Sequence, residues 1–217
     1  YYFLEMNTRL QVEHPITERV VGVDLVKTQI NIANNQTLDF KQEDLKQTGH
    51  AIEVRIYAED PDNNFMPNPG KIEHMTEPLG LGVRHDGYVY TGYEIPIFYD
   101  PMISKLIVWA QTRQEAIDRL RRALHEYKIT GIKTTIPFLS RILDVPDFIN
   151  GKYNTHFVQD NEKLLRPNKK SSNRIKEMVA IASFINHLEN VESIKDKRYC
   201  NPVDGKWKAF GRKRNVT

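Results

Sequence analysis

The chain has 217 residues, of which 40% are hydrophobic and 27% charged, with a formal net charge of +3; that suffices for one well-cored domain, or one plus part of a neighbour, and no run approaches the roughly 18 apolar residues of a membrane span. A single cysteine, Cys200, excludes an intrachain disulfide, and no basic-then-apolar N-terminal segment marks export, so a soluble cytoplasmic protein is expected. Residues 1–160 hold 17 Lys+Arg against 22 Asp+Glu, and residues 161–217 hold 14 against 6. The body is acidic and the tail basic, but short runs such as Arg212-Lys213-Arg214 are expected to be solvated surface rather than a nucleic-acid face.

The opening Tyr1-Tyr2-Phe3-Leu4 lacks an initiator methionine and already reads as a strand, so the sequence is expected to start inside a folded unit and to be a fragment. From Tyr1 to Glu13 the residues alternate: Glu5, Asn7, Arg9, Gln11 and Glu13 fall on one parity, Leu4, Met6, Leu10 and Val12 on the other. An extended chain sends successive side chains to opposite faces, which predicts a strand with one polar row, closed by Pro15. Asp24 is a plausible N-cap for a short helix over Leu25–Asn34. Residues 49–110 are β-rich, with strands predicted over 51–57, Val89-Tyr90 and Leu106-Ile107-Val108-Trp109 between turns rich in Gly, Pro, Asn and Asp. Gln114–Lys128 places Ala116, Ile117, Leu120, Ala123, Leu124 and Tyr127 at helical spacing. Further helices are predicted from Thr134 to Leu143 and from Ile175 to Leu188, with a polar linker over Asn161–Asn173.

Five polar side chains on one strand parity are costly to bury without a partner or ligand. A carboxylate such as Glu5 with an oxygen donor such as Asn7 suits Mg²⁺ or Mn²⁺ held jointly with nucleotide phosphates. Arg9 offers a planar fork for a carboxylate-like or phosphate-like anion, and Glu13 could be a general base beside it. From alternation alone, a solvated edge-strand face explains the row equally well. No His/Cys spacing suggests zinc, and Leu79-Gly80-Leu81-Gly82 is followed by Val83-Arg84-His85, which predicts a turn rather than a phosphate loop.

The run Phe3-Leu4-Glu5-Met6-Asn7-Thr8-Arg9-Leu10-Gln11-Val12-Glu13-His14-Pro15 resembles the biotin carboxylase signature at the end of an ATP-grasp domain. Glu5-Met6-Asn7 with Arg9 is similar to ATP-grasp enzymes in general, carbamoyl-phosphate synthetases included, whereas Arg9 to Pro15 resembles the biotin-dependent branch alone. The likeness continues through Gly49 to Arg55, Ala58-Glu59-Asp60-Pro61, Pro67-Asn68-Pro69-Gly70, Tyr99 to Lys105 and Gly131 to Thr135, covering roughly residues 1–158; Trp207 to Arg212 looks like the ending of some separate biotin carboxylase subunits.

The resemblance implies an α+β fold: the end of an ATP-grasp domain over residues 1–40, a biotin carboxylase C-terminal domain with an antiparallel sheet and flanking helices over 41–160, and a basic linker with a terminal helix over 161–217. It implies a reaction in which ATP phosphorylates bicarbonate to carboxyphosphate, whose CO₂ passes to the ureido nitrogen of biotin on a carrier protein. Glu5 and Asn7 would then serve a Mg²⁺ or Mn²⁺ site. Arg9, Gln11 and the backbone of Val12 would hold bicarbonate, Glu13 would deprotonate it, and Arg55 would stabilise charge on the biotin ureido oxygen. Arg9, Glu13 and Arg55 are thus the catalytic set. Positions matching Leu81 and Arg84 lie near a dimer interface in the family. The implied partners are a biotin carboxyl carrier protein, a carboxyltransferase and a second copy of the parent. The final acceptor (acetyl-CoA, propionyl-CoA or pyruvate) stays open, and the role of Asp100-Pro101-Met102 and Lys105 is not derivable beyond packing between domains. The isolated chain is expected to be inactive. Two other functions fit parts of the sequence: an ATP-grasp ligase with another acceptor, as in carbamoyl-phosphate synthesis, and a non-catalytic module for oligomerisation or carrier docking.

Overall fold

In a computed structural model that describes residues 2–167 and 176–188, the apolar runs at 50–57 and 102–110 become the two longest strands. The chain falls into two units, Tyr1–Arg166 and Pro167–Thr217. The first begins with helices α1 (His14–Val21) and α2 (Leu25–Ala33), followed by strand β1 (His50–Tyr57). Short strands β2 (Glu59–Asp60), β3 (Met66–Pro67), β4 (Gly70–Lys71) and β5 (His74–Thr76) lead to β6 (Val83–Gly87), β7 (Glu94–Ile95) and β8 (Met102–Ala110). Helix α3 (Arg113–Glu126), strand β9 (Lys128–Thr130) and helices α4 (Ile136–Ile142), α5 (Pro146–Ile149), α6 (Phe157–Asp160) and α7 (Glu162–Leu165) complete it. In the second unit, residues 176–188 are helical, and its apolar side chains, Met178, Val179, Ile181, Phe184, Ile185 and Leu188, are exposed.

Strand β8 is the centre of an antiparallel sheet in the order β1-β8-β6. Alternation gives this sheet two unlike faces. One face carries Ile52, Val54, Leu106, Val108 and Val83, which pack into the hydrophobic core with Ile117, Leu120 and Leu124 of α3. The other carries Glu53 and Arg55 of β1, Lys105 of β8, and Arg84 and Asp86 of β6, and α1 packs near it. Helix α3 forms as its spacing requires: Ala116, Ile117, Leu120, Ala123 and Leu124 are all buried. A reciprocal cap fixes its start. Thr112 Oγ1 accepts from the Glu115 N–H at 3.3 Å, and the Glu115 carboxylate accepts from the Thr112 N–H at 3.1 Å, satisfying donors that a helix end leaves orphaned. At the far side, Gly131 has φ +96°, and a Cβ there would collide with the Lys71 carbonyl, so only glycine lets β9 leave the sheet edge at this point.

Three sequence expectations meet a different structure. Residues 2–10 form no strand and are largely exposed, because a strand needs a neighbour for its backbone donors and acceptors and none of the described residues pairs with this segment. Val89-Tyr90 is not a strand either. Val89 is buried, but residues 90–93 turn, with the Tyr93 N–H on the Tyr90 carbonyl at 2.9 Å, so the apolar signal reflects packing rather than pairing. Within the expected linker, residues 162–165 are helical and Leu165 is buried; the linker's remainder from 168 onward, like Cys200, the Trp207 to Arg212 run and Arg212-Lys213-Arg214, lies outside the described residues. Helix α1 was not expected at all. Pro15 occupies its first turn, where the missing N–H costs nothing. The helix expected over Leu25–Asn34 is α2, and Asp24 caps it by accepting from the Lys27 N–H at 2.8 Å. Among the described residues no helix is long and apolar enough to cross a membrane.

One polar network lies on the core side. The Tyr127 hydroxyl meets His85 Nε2 and Ser104 Oγ, each at 2.9 Å, and His85 Nδ1 lies 3.2 Å from the Glu77 carboxylate. Burial pushes the Tyr127 hydroxyl up to about 12. Burial also pushes His85 down, although Glu77 and Asp86 pull the other way. The folded His85 therefore binds protons more weakly than the unfolded one. Its contribution to stability is complete above the ordinary histidine value of about 6.5 and is lost as the pH falls through and below it. The melting temperature of the chain is expected to fall more steeply between about pH 7 and pH 5.5 than that of a His85→Gln variant; parallel slopes would exclude His85 as the titrating group.

Candidate active-site wall

The Val12-Glu13 segment is fixed against the polar face of the sheet by two side chains that are distant in sequence. The Arg55 guanidinium donates to Glu13 Oε2 at 2.9 Å, and the Lys105 ammonium donates to the Val12 carbonyl at 3.0 Å. Register explains the convergence: Arg55 of β1 pairs with Lys105 of β8, and Lys105 pairs with Asp86 of β6. The segment then turns directly into α1, where His14 Nδ1 donates to the Gln11 carbonyl at 2.7 Å. His14 is thereby occupied in shaping the turn.

The Glu13–Arg55 pair is open to water, with side-chain exposures of 50% and 40%. An exposed pair of this kind is held by roughly 0–1 kcal/mol. An incoming anion can therefore compete with Glu13 for the guanidinium at little cost, and a site that opens this way suits a small carboxylate-like substrate. Arg9, Gln11 and Glu13 line one open groove of about 390 Å³, with Leu25, Ile32, Leu38 and Phe40 on its apolar side. Among the described residues Arg9 reaches the Leu10 carbonyl, at 3.3 Å, and no other hydrogen-bond partner, so most of its fork is available there. Of the residues singled out in the sequence, Arg9, Gln11, Val12, Glu13 and Arg55 thus lie about one neighbourhood.

Glu5 and Asn7 do not join it. Both are exposed on the unpaired 2–10 segment, and among the described residues no group of three or more His, Cys, Asp or Glu side chains could hold a metal. As hard oxygen donors of the same parity they fit Mg²⁺ or Mn²⁺, but they supply two ligands where such ions take about six. The remainder would have to come from nucleotide phosphates, water or other protein groups.

Several residues around the wall were missed or left without a role. Asp86 accepts from Arg84 at 2.8 Å, and Arg84 also donates to Glu18 of α1 at 2.8 Å. Glu18 in turn accepts from the Leu25 N–H at 2.9 Å, which ties α1 to α2. Burial alone would raise the Asp86 carboxyl, but Arg84 and Lys105 beside it outweigh that and hold it below the usual carboxylate range. Glu53 lies on the same face, and neither of its carboxylate oxygens has a hydrogen-bond partner among the described residues. Burial pushes it up, with Lys105 and then Arg55 opposing in part. No local sequence signal marks the approach of Lys105 to Asp86, which depends on strand register, or of Arg84 to Glu18, which joins residues 66 positions apart. Arg84 is turned inward to Glu18 and Asp86, while Leu81 is 90% exposed at the preceding turn.

Comparison with known proteins decides the family. The family model for the biotin carboxylase C-terminal domain matches residues 53–160, and that for the ATP-binding domain of the carbamoyl-phosphate synthase L chain matches residues 1–41. Biotin carboxylase 1 of Bacillus subtilis is 54% identical over 159 residues, covering 73% of this chain and 35% of that protein. The chain belongs to the biotin carboxylase family. The biotin carboxylase of Haemophilus influenzae is also 54% identical over 159 residues, with the same shares of the two chains. Among solved structures, the biotin carboxylase domain dimer of Hydrogenobacter thermophilus 2-oxoglutarate carboxylase, in complex with MgADP, ADP and bicarbonate, aligns with a TM-score of 0.75 at 47% identity over 77% of this chain and 37% of that one. The chain spans about a third of the length of these curated relatives. Its α+β architecture is that of the biotin carboxylase domains it superposes on.

Proposed function

We propose that this chain forms one wall of a biotin carboxylase active site, in a parent enzyme that uses ATP and bicarbonate to carboxylate biotin on a carrier protein through carboxyphosphate. The observation that carries this reading is the approach of Arg55, from the middle of β1, to Glu13, 42 positions earlier, at 2.9 Å. A general base and a guanidinium set face to face beside an open groove are what the two half-reactions require. Bicarbonate needs a base to take its proton as it attacks ATP, and the biotin ureido oxygen needs a fixed positive group as its charge develops. In this reading Arg9, Gln11 and the Val12 backbone hold bicarbonate, Glu13 deprotonates it, the phosphate released from carboxyphosphate takes the biotin N–H proton, and Arg55 stabilises the ureido oxyanion. Glu5 and Asn7 supply oxygen ligands to Mg²⁺ or Mn²⁺ alongside the nucleotide, and the ion, when bound, offsets the phosphate charge.

Residues 1–40 then belong to the ATP-grasp domain and 41–160 to the biotin carboxylase C-terminal domain, with 161–217 as an appendage. A carrier protein and a carboxyltransferase are the partners such a parent requires, and the parent is expected to dimerise. The chain by itself is expected to be inactive, because the groove bearing Arg9 and Glu13 is open and residues 2–10 are exposed. Phosphate release from ATP, measured with bicarbonate and free biotin, tests this. The complete enzyme is expected to show release that depends on both, and the 217-residue chain none. Biotin-dependent turnover by the chain alone would contradict the assignment of the remaining active-site groups to the rest of the parent.

A further inference from the structure

Lys105 has no part in the chemistry described above, yet its surroundings are more constrained than those of Arg55. Its side chain is 14% exposed, against 40% for Arg55. Its ammonium donates to the Val12 carbonyl at 3.0 Å and lies 3.7 Å from Asp86 Oδ2. A largely buried ammonium is costly unless its donors are matched, so these partners hold it in one place. Asp86 is held by Arg84, and Arg84 by Glu18 of α1. Glu18, Arg84, Asp86, Lys105 and Val12 therefore form a closed brace, whose two ends both land on the segment from Val12 to Glu18.

The brace controls one peptide plane. In a trans peptide the carbonyl of one residue and the N–H of the next point in opposite directions. With the Val12 carbonyl drawn onto Lys105, the Glu13 N–H points away from it, and Glu13, which follows this plane, lines the groove together with Gln11, which lies one residue before Val12.

We propose that Lys105 is a positioning residue: by holding the Val12 carbonyl it fixes the Gln11-Val12-Glu13 peptide in the orientation that binds bicarbonate, without touching substrate itself. The proposal rests on the reading of Arg9 to Glu13 as the bicarbonate site.

Steady-state kinetics of the complete enzyme test it. Lys105→Met should raise the KM for bicarbonate about tenfold, as loss of one charge-assisted hydrogen bond implies, while the KM for ATP stays within about twofold. Lys105→Arg, which keeps a donor for the Val12 carbonyl, should recover most of the bicarbonate affinity. Asp86→Asn, which loosens the ammonium without removing it, should raise the same KM by a smaller factor. An unchanged bicarbonate KM in Lys105→Met, or a parallel rise in both KM values, would overturn the proposal, since a merely structural lysine would spread its effect over both substrates. If Lys105→Met does not fold, Asp86→Asn decides: an unchanged bicarbonate KM there overturns it. A wild-type enzyme without bicarbonate-dependent carboxylation would instead refute the site reading, and the role of Lys105 would fall with it.

Discussion

Arg55→Ala in the complete enzyme is expected to lower kcat for biotin carboxylation by about 10²–10³-fold, the usual cost of removing one preorganised group that faces developing negative charge. The same substitution should cost the fold about 1 kcal/mol or less, because the pair it breaks is exposed on both sides. These two magnitudes separate function from structure. A buried ion pair broken on one side would destabilise by several kcal/mol, and activity would fall because the protein unfolds. Arg55 lies at the solvent edge, where a loss of turnover cannot be charged to stability. Arg55→Lys keeps the charge but not the planar fork, so an intermediate rate is expected. Turnover and thermal melting measured on the same samples check both halves, and a kcat within about threefold of wild type for Arg55→Ala would remove the residue from the chemistry.

The second large effect is on the fold. Leu120→Ala is expected to destabilise the Tyr1–Arg166 unit by about 2–5 kcal/mol, the range for a buried leucine whose cavity the surroundings fill only partly. Leu120 is 0% exposed and shares the core with Leu106, Val108 and Leu124, so the cavity would open between α3 and the apolar face of the sheet. At about 2–4 °C per kcal/mol for a protein of this size, the melting temperature should fall by roughly 5–20 °C. Because the polar face is supported from that same sheet, a weaker core is also expected to loosen the site before global unfolding. Chemical denaturation followed by circular dichroism measures the loss. A change below about 1 kcal/mol would mean that α3 does not pack as described.

The apolar side of this molecule was legible in the sequence, and the charged side was not. The spacing of Ala116, Ile117, Leu120, Ala123 and Leu124 marks the buried stripe of α3, with Tyr127 buried just past its end rather than within it, because a helical stripe is a local pattern. Asp24 as a cap and the β1 strand were equally local. The polar row from Glu5 to Glu13 was visible as alternation, but alternation does not say whether a partner strand is present, and residues 2–10 have none among the described residues. Glu13 and Arg55 were placed in one catalytic set only through resemblance to a family, and their contact was not foreseen, since it joins residues 42 positions apart. Arg84, Asp86 and Lys105 lay beyond reach for the same reason. Their convergence depends on β6 pairing with β8, a register that the short Val83–Gly87 run does not reveal. Helix α1 was hidden by His14-Pro15, which marks the end of an extended stretch and also the first turn of a helix.

The most direct test of the Glu13–Arg55 wall as a bicarbonate and biotin site is transfer of isotopic label from bicarbonate to biotin by the complete enzyme. The expected result is ATP-dependent incorporation in the wild type, reduced at least about a hundredfold in both Glu13→Gln and Arg55→Ala. ATP cleavage without labelled biotin, or undiminished labelling in the two variants, would contradict it.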